Sequence, residues 1–482
     1  MQLETTDSVR SDNPQLAELL GRIDALIAQV GGLSAQNASL NEQVRLLLAR
    51  IAELEGRPGH PPPSEPPKTS QNSSLPPSKG FKANRPEPGT PKPPRKGRPG
   101  TARALCPDPD QVRNVYAETC TRCGAALDAR HQSTAHAYDH IELPVIKPVT
   151  TRVVLHAATC ACCPKPVVAP APADMAPKSP FGPRISATVT YLHATQMVSY
   201  SRLTQMLADV FGLSLSQGAI ANMLRRAALP FAAVADGIAE IVRHSPVIAS
   251  DETSARVAGK TWWQWTFGAA HAVYHQIVPT RGKVVPTEFL AGHVPHVWLS
   301  DRLASQCGHG VRHQVCLAHL IREAQYAIEA GDTLFAARFK RFLQVACVVG
   351  ARRPQLSDAG LAFWAAVLER ELARILVLKA SASAGSKLRA SVAVGAREKL
   401  LVFMTRRDVE PTNNESEREL RPSVIMRKVT GGFRSVWGAE SYGDIRSIVA
   451  TGRRRGRSPL EAIAAALSGH LLPRPVAETA SG

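Results

Sequence analysis

Long hydrophobic runs are missing. No stretch approaches the ~20 consecutive apolar residues that a membrane-spanning helix needs, which argues against a membrane protein. Residues 1–15 hold no apolar core either, so no secretory signal is expected there. Acidic residues are in deficit: 40 Asp and Glu face 58 Lys and Arg, for a formal charge of +18. A surplus of that size favours a polyanionic partner, nucleic acid first, because Lys and Arg on phosphates supply most non-specific affinity. Nine cysteines are present, several in close pairs. Without an export signal they point to thiolate chemistry rather than disulfides, and to a cytoplasmic protein. The hydrophobic fraction of 44% is ample for a packed core. The length of 482 residues gives a prior of roughly three domains.

Residues 14–56 carry the cleanest periodicity. Leu19, Leu26, Leu33, Leu40, Leu47 and Leu54 recur every seven residues, and Leu16, Ile23, Val30, Asn37, Val44 and Ile51 fill the second seam. Mostly β-branched residues at a, Leu at d and one Asn at an a position predict a parallel two-stranded coiled coil, hence a homodimer. Gly31 and Gly32 fall on the outer face, where they weaken the helix without spoiling the seam. Residues 57–105 are rich in Pro, Ser, Lys and Arg and hold almost no large apolar side chain. Such a segment cannot bury enough surface to fold and reads as a basic, disordered linker.

Residues 106–165 hold Cys120, Cys123, Cys160 and Cys163 as two knuckle-like pairs, with Cys162 to spare. Four thiolates so arranged suit a closed, structural zinc site in a ribbon-like module. The gap between the pairs exceeds the usual ribbon spacing, and His131, His136, His140 and His156 are alternative ligands. Alternating stretches at 141–145 and 151–156 predict a small antiparallel sheet across the gap. Residues 180–240 read as helical: Tyr200–Phe211 with a Gly212 stop, then a helix capped by Ser214 or Ser216. Helix, glycine turn and second helix resemble a helix-turn-helix DNA-binding domain.

Residues 241–456 carry the candidate chemistry. A short apolar strand delivers Asp251, and fifty residues on a second delivers Asp301. Between them lie two further strands, from Thr261 and His271, and a helix at 287–291. Three strands, a helix and a fourth strand is the order of a ribonuclease-H-like sheet. A third carboxylate comes from the helical stretch 413–421, which offers Glu415, Glu417 and Glu419. Two aspartates at strand ends and a glutamate on a helix can hold a pair of divalent cations for in-line phosphoryl displacement. Cys316 opens a helix bearing His319 and Arg322, and a helical insertion is expected at about 323–400. Arg418, Arg421, Arg427, Lys428, Arg434 and Arg453 to Arg455 are candidates for backbone contacts to DNA. Residues 457–482 read as a helix and a tail.

Together these motifs resemble the D-D-E transposases of the insertion-sequence sixty-six family. The matching segments are Lys68 to Ser78, the cysteine pairs, Tyr191 to Gly218, Ser250 to Thr253, Cys316 to His319, and Asn413 to Arg418 with Arg427-Lys428. The resemblance implies a multidomain α/β protein that cuts the ends of a bacterial element and joins them to target DNA. It implies Mg²⁺ (or Mn²⁺) catalysis in the ribonuclease-H-like domain, beside the coiled coil, zinc and DNA-recognition modules. The triad falls on Asp251, Asp301 and Glu417, the glutamate being the one directly before Arg418. On this reading Asp251 bridges two ions, Asp301 and Glu417 hold one each, and His319 and Arg322 orient the scissile phosphate. Accessory proteins of the same element and a nucleoid-associated place in the cytoplasm are further implications. One departure stands out: Arg302-Leu-Ala-Ser follows Asp301 where the family tends to place glycine and tyrosines. The competing readings are an inactive DNA-binding regulator of the same descent and a structure-selective nuclease.

Overall fold

The computed structural model describes residues 14–55, 66–69, 71–73, 103–175, 177 and 179–470. Most of the expected linker, including Lys79 to Arg98, and the tail from 471 lie outside the described residues. Two compact units result, divided at Pro66. The first contains one helix, α1 (Pro14–Glu55), 42 residues long. Its seam residues Ile23, Leu26, Val30, Leu33, Leu40 and Val44 are all exposed on the single chain.

The second unit is a mixed α/β body. It starts at a short clip, residues 67–69 and 71–73, that the linker reading missed. Asn72 is buried; its Nδ2 donates to Glu329 and to the Pro67 carbonyl, and its Oδ1 accepts from Thr69 N at 2.7 Å. Lys68 sits 5.5 Å from the Tyr326 ring centroid. The cysteine region comes next, with β1 (Ala157–Thr159) antiparallel to β2 (Pro166–Val168) around the Cys160 turn. A single bridge, Thr119 to Ala126, encloses the Cys120 turn. The sheet expected at 141–156 does not form. Pro144 and Pro148 remove ladder donors there, and the stretch is exposed throughout, with no apolar layer to lie on.

Three helices lead towards the sheet: α2 (Pro183–Thr190), α3 (Tyr200–Phe211) and α4 (Gln217–Arg243). The Ser199 hydroxyl caps α3, Gly212 ends it at φ 63°, and Ser216 caps α4 by accepting from Ala219 N at 3.1 Å. Gly212 is the residue type that takes this left-handed position without a Cβ penalty. The helical segment expected at 180–240 is not a domain apart from the sheet. The first turns of α4 pack Ile220, Met223 and Leu224 against α3. Its later turns bury Phe231, Val234, Ile238 and Val242 in the main core. One continuous apolar stripe thus serves two cores.

The main core is built on β3 (Val247–Val257), β4 (Lys260–Ala269) and β5 (Ala272–Val278), then α5 (Val284–Leu290), β6 (Val297–Ser300) and β7 (Arg312–Val315). Strand order is β5-β4-β3-β6-β7; the first three are antiparallel, while β6 runs parallel to β3 and β7 to β6. Ala258 and Gly259, both at positive φ, make the two-residue turn that matches strand twist. Trp265, Phe267, Phe289 and Trp298 are buried together, with Phe267 stacked on Phe289 at 4.0 Å between centroids.

The expected insertion comprises α6 (Leu317–Glu329), α7 (Phe335–Arg352), α8 (Asp358–Leu376) and α9 (Ser383–Ser391), with a hydrophobic core of its own around Phe335, Phe339 and Leu372. The chain then returns through α10 (Asn414–Thr430), α11 (Val436–Arg454) and α12 (Pro459–Leu467). Helix α11 covers the edge of the sheet: Ser447 Oγ accepts from His275 N at 2.8 Å and Thr451 Oγ1 from Val273 N at 3.0 Å. Side chains thereby take up donors that an open edge strand leaves available for aggregation.

After α10 the chain turns at Gly432 (φ 111°), so that Phe433 N bonds the Arg256 carbonyl at 2.8 Å. A Cβ at Gly432 would lie 2.5 Å from the Arg256 oxygen. Gly432→Ala is therefore expected to destabilise the fold by about 1–3 kcal/mol, from strain and a displaced strand end. Urea-unfolding midpoints of the two proteins check this.

Candidate active site

The neighbouring parallel strands bring the two aspartates together. In the β3–β6 register Ala249 pairs with Leu299. Two residues further along each chain stand Asp251, still within β3, and Asp301, just past the end of β6, near enough for the Asp301 charge to raise the Asp251 carboxyl. Asp301 closes its own turn by accepting from Leu303 N at 2.9 Å, and Asp251 Oδ1 accepts from Glu252 N at 2.9 Å.

Glu417 arrives from the first turn of α10. Asn413, buried, anchors that turn: its Nδ2 donates to the Ser250 carbonyl at 2.7 Å and its backbone N–H to Cys316 Sγ at 3.1 Å. The three glutamates of the stretch then separate by helical geometry. Glu415 pairs with Arg454 at 2.9 Å and Glu419 with Arg446 at 3.3 Å, while Glu417 meets Arg322 at 3.3 Å and His319 at 3.8 Å. Residues 415 and 419 are one turn apart on one face of α10, and 417 lies on another.

Electrostatics binds the acids into one cluster. The Asp251 carboxyl is pushed well above the ordinary carboxylate range by burial, then by the negative charges of Glu252, Asp301 and Glu417. The Glu252 N–H, donating to it, pulls weakly the other way. Burial likewise raises Glu252, opposed by hydrogen bonds from Gln306 and Arg281. Arg281 donates to Glu252 at 2.7 and 2.9 Å and stacks on Trp263 at 4.6 Å. Gln306 also receives Trp298 Nε1 at 3.1 Å, so this network ties β3 to the loop after Asp301. His319 is held below its usual pKa by burial and by Arg322, against the pull of Glu417 and Asp301. Asp251 thus carries a repulsion that a cation relieves, and oxygen donors from three elements suit Mg²⁺ or Mn²⁺.

Beside the acids opens a cavity of about 520 Å³, lined in part by Asp301, Arg302, His313, His319, Glu323 and Lys399. Arg302, the departure from the family pattern, bonds Glu323 on α6 and Ser391 at the end of α9. It therefore clamps the loop after Asp301 to the helical insertion. Among the expected DNA contacts, Arg418, Arg421, Lys428, Arg434 and Arg453 are exposed. Others are engaged within the fold: Arg427 bonds Ser254, Arg454 bonds Ala269 O and Glu415, and Arg455 bonds His271 O.

The cysteine pairs stand in separate turns. Backbone N–H groups of Arg122 and Cys123 lower the Cys120 thiol, and those of Cys163 and Cys162 lower Cys160. Among the described residues no three of these thiols lie within 4.8 Å of one another. One such metal-ligand group does occur, at Cys316, His319 and Glu417. In the sequence Cys316, Asn413 and Glu252 stood within matching motifs without a role of their own, and Gln306 was not singled out. The adjacency of Glu252 to Asp251 was the one available signal.

Residues 178–441 match the family model described as Transposase IS66 family. The chain belongs to that family. The match spans more than half of the chain and contains Asp251, Asp301, Cys316, His319, Arg322 and Glu417. The motif resemblance and the family model therefore agree, while α1, the clip and the cysteine region lie outside the matched span. No curated protein is significantly similar to the chain. No helix among the described residues is long and apolar enough to cross a membrane.

The raised Asp251 pKa has a stability consequence. Folding favours its protonated form, so this group's contribution falls as pH rises from the ordinary carboxylate value towards the folded-state value. In metal-free buffer near neutral pH, Asp251→Asn is expected to be more stable than the parent. The gain is about 2–4 °C in Tm for each kcal/mol of repulsion removed, and the gap should close in acid below the ordinary carboxylate pKa. Thermal melts across pH with EDTA check the sign.

Proposed function

We propose that the chain is a D-D-E transposase that cuts the ends of a bacterial insertion element and joins them to target DNA by metal-assisted phosphoryl transfer. What supports this is that Asp251, Asp301 and Glu417, carried by two neighbouring strands and a returning helix inside the family-matched span, lie near enough for the charges of Asp301 and Glu417 to raise the Asp251 carboxyl. A sheet of three antiparallel strands followed by two parallel ones supports a ribonuclease-H-like catalytic domain with the helical insertion placed after β7. Asp251, Asp301 and Glu417 would hold Mg²⁺ or Mn²⁺. Such ions supply an activated water or 3′-hydroxyl and neutralise charge on the attacking and leaving oxygens.

The remaining work falls to side chains. Arg322 and His319 adjoin Glu417, where they can take up a phosphate and fix its orientation. Arg302 holds the Asp301 loop in place, and the exposed Arg418, Arg421, Lys428, Arg434 and Arg453 neutralise DNA backbone nearby. In the cysteine region, each pair is preset by N–H donors to its sulfur, which favours structural zinc once the two turns close on one ion. The apolar seam of α1 supports a homodimer, and Asn37 within it sets register. Work on DNA within a bacterium places the protein in the cytoplasm.

Purified protein with duplex DNA bearing the element's terminal repeats and Mg²⁺ is expected to give end-specific nicks and joined product, both abolished by EDTA. Asp251→Asn and Glu417→Gln should each lower nicking by at least about 10³-fold while leaving end binding in gel-shift assays intact. Binding without any nick by the parent would instead favour an inactive regulator. For the dimer, replacing Leu26 and Leu33 together by Lys puts like charges into the seam. Sedimentation should then show monomers where the parent shows dimers or larger.

A further inference from the structure

Three side chains beside the acids differ in kind from a site for hard cations. Cys316 immediately precedes α6, His319 is three residues on along the same face, and Glu417 faces both from α10. Their ligand atoms all lie within 4.8 Å of one another. The His319 Nδ1 to Glu417 Oε1 separation is 3.8 Å, a few tenths of an ångström beyond the roughly 3.4 Å between an imidazole nitrogen and a carboxylate oxygen on one tetrahedral zinc. His319 Nδ1 is buried and has no hydrogen-bond partner. The Cys316 sulfur is buried, which with the Glu417 charge raises the thiol to about 11 in the metal-free protein, while N–H groups from Asn413, His319 and Ala318 pull the other way and aim at the sulfur.

We propose that Cys316, His319 and Glu417 form a site for a soft divalent ion of the zinc class, and that such an ion competes at Glu417 with the hard cations of phosphoryl transfer. Thiolate and imidazole select zinc over magnesium, which prefers oxygen donors and keeps its waters. On binding, the Cys316 S–H bond is replaced by a sulfur–metal bond and the proton goes to solvent. The thiolate and Glu417 supply two negative charges, and Asp301 and Glu323 also face His319. Arg322, 3.3 Å from Glu417 and with its side chain 25% exposed, is an opposing charge that the ion has to displace. Three protein ligands leave a fourth position for water or a phosphate oxygen. The site follows from the geometry alone; the competition rests on the function proposed above. Zinc in excess would then silence the enzyme by taking Glu417 out of its carboxylate set.

The test uses the full-length protein, first saturated with Zn²⁺ at its tighter sites and desalted, then equilibrated with buffered micromolar Zn²⁺ and counted by mass spectrometry. The parent should take up one further zinc per chain. Cys316→Ser and His319→Ala should each weaken this uptake by at least the roughly 10–100-fold that losing even an outer-shell partner costs. Circular dichroism confirms that the variants fold, and the half-buried His319 position guards against a defect in the Cys316 variant. Equal uptake by folded variants and parent would overturn the site. In a second arm, Mg²⁺-dependent nicking is titrated with Zn²⁺, each protein's rate being normalised to its own zinc-free value. Inhibition of the parent at concentrations at least tenfold lower than for Cys316→Ser is expected. Equal sensitivity would overturn the competition. If no protein nicks at all, the transposase reading fails, and the uptake arm still decides the site.

Discussion

The hydrogen bonds of Asn413 are the constraint on which the site depends. One side chain joins the start of α10 to the Ser250 carbonyl, 163 residues earlier, and its own N–H reaches the Cys316 sulfur at the head of α6. Three elements that share no local sequence are fixed there: the strand carrying Asp251, the helix carrying Glu417 and the helix carrying His319 and Arg322. Asn413 is 1% exposed, so these bonds form where water cannot substitute. Each lost partner would leave a buried polar group unpaired, at a cost of about 1–3 kcal/mol. The geometry of the carboxylates is therefore held by the interior rather than by the carboxylates themselves.

That rigidity is needed because the acids repel one another. Asp251 is destabilised in its charged form by burial and by three neighbouring carboxylates, and nothing in the immediate sheet neutralises it. Elsewhere the fold balances such charge carefully: Arg454 meets Glu415, Arg446 meets Glu419, and Arg281 with Gln306 holds Glu252. Imbalance recurs at two places: around Asp251, Asp301 and Glu417, and at Asp444, which burial and the neighbouring Asp236 and Glu440 raise to about 7. The first lies wholly inside the family-matched span, and perturbed acids of this kind mark a candidate functional site. The thiol of Cys316, raised to about 11 by burial, adds a softer donor at its edge.

Much of the basic surplus is structural. Arg353 bonds four main-chain carbonyls at the junction of the insertion with the return to α10, and Arg427, Arg454 and Arg455 tie α10 and α11 to the sheet. A net charge counts all of these equally. Which cations remain for a polyanion is decided by burial, and by that measure Arg418, Arg421, Lys428, Arg434 and Arg453 remain.

The sequence by itself determined what local periodicity and local chemistry can encode. The heptads of α1, the Ser199 and Ser216 caps with the Gly212 stop, the strands carrying Asp251 and Asp301, and the helical insertion were all legible, because each depends on neighbours within a few turns. Strand β7 was missed, since Arg-His-Gln-Val offers no apolar run of the kind that marked the equally short β6. The clip at Asn72 was missed because its partner, Glu329, is remote in the chain. The expected sheet at 141–156 failed because alternation without a layer to bury against does not hold a strand. The motif before Arg418 singled out Glu417, but only the tertiary structure decided which partners Glu415, Glu417 and Glu419 each take, which arginines are spent inside, and that a cysteine stands among the acids. Those are questions of which surfaces meet, settled by packing between elements that are not neighbours in the chain.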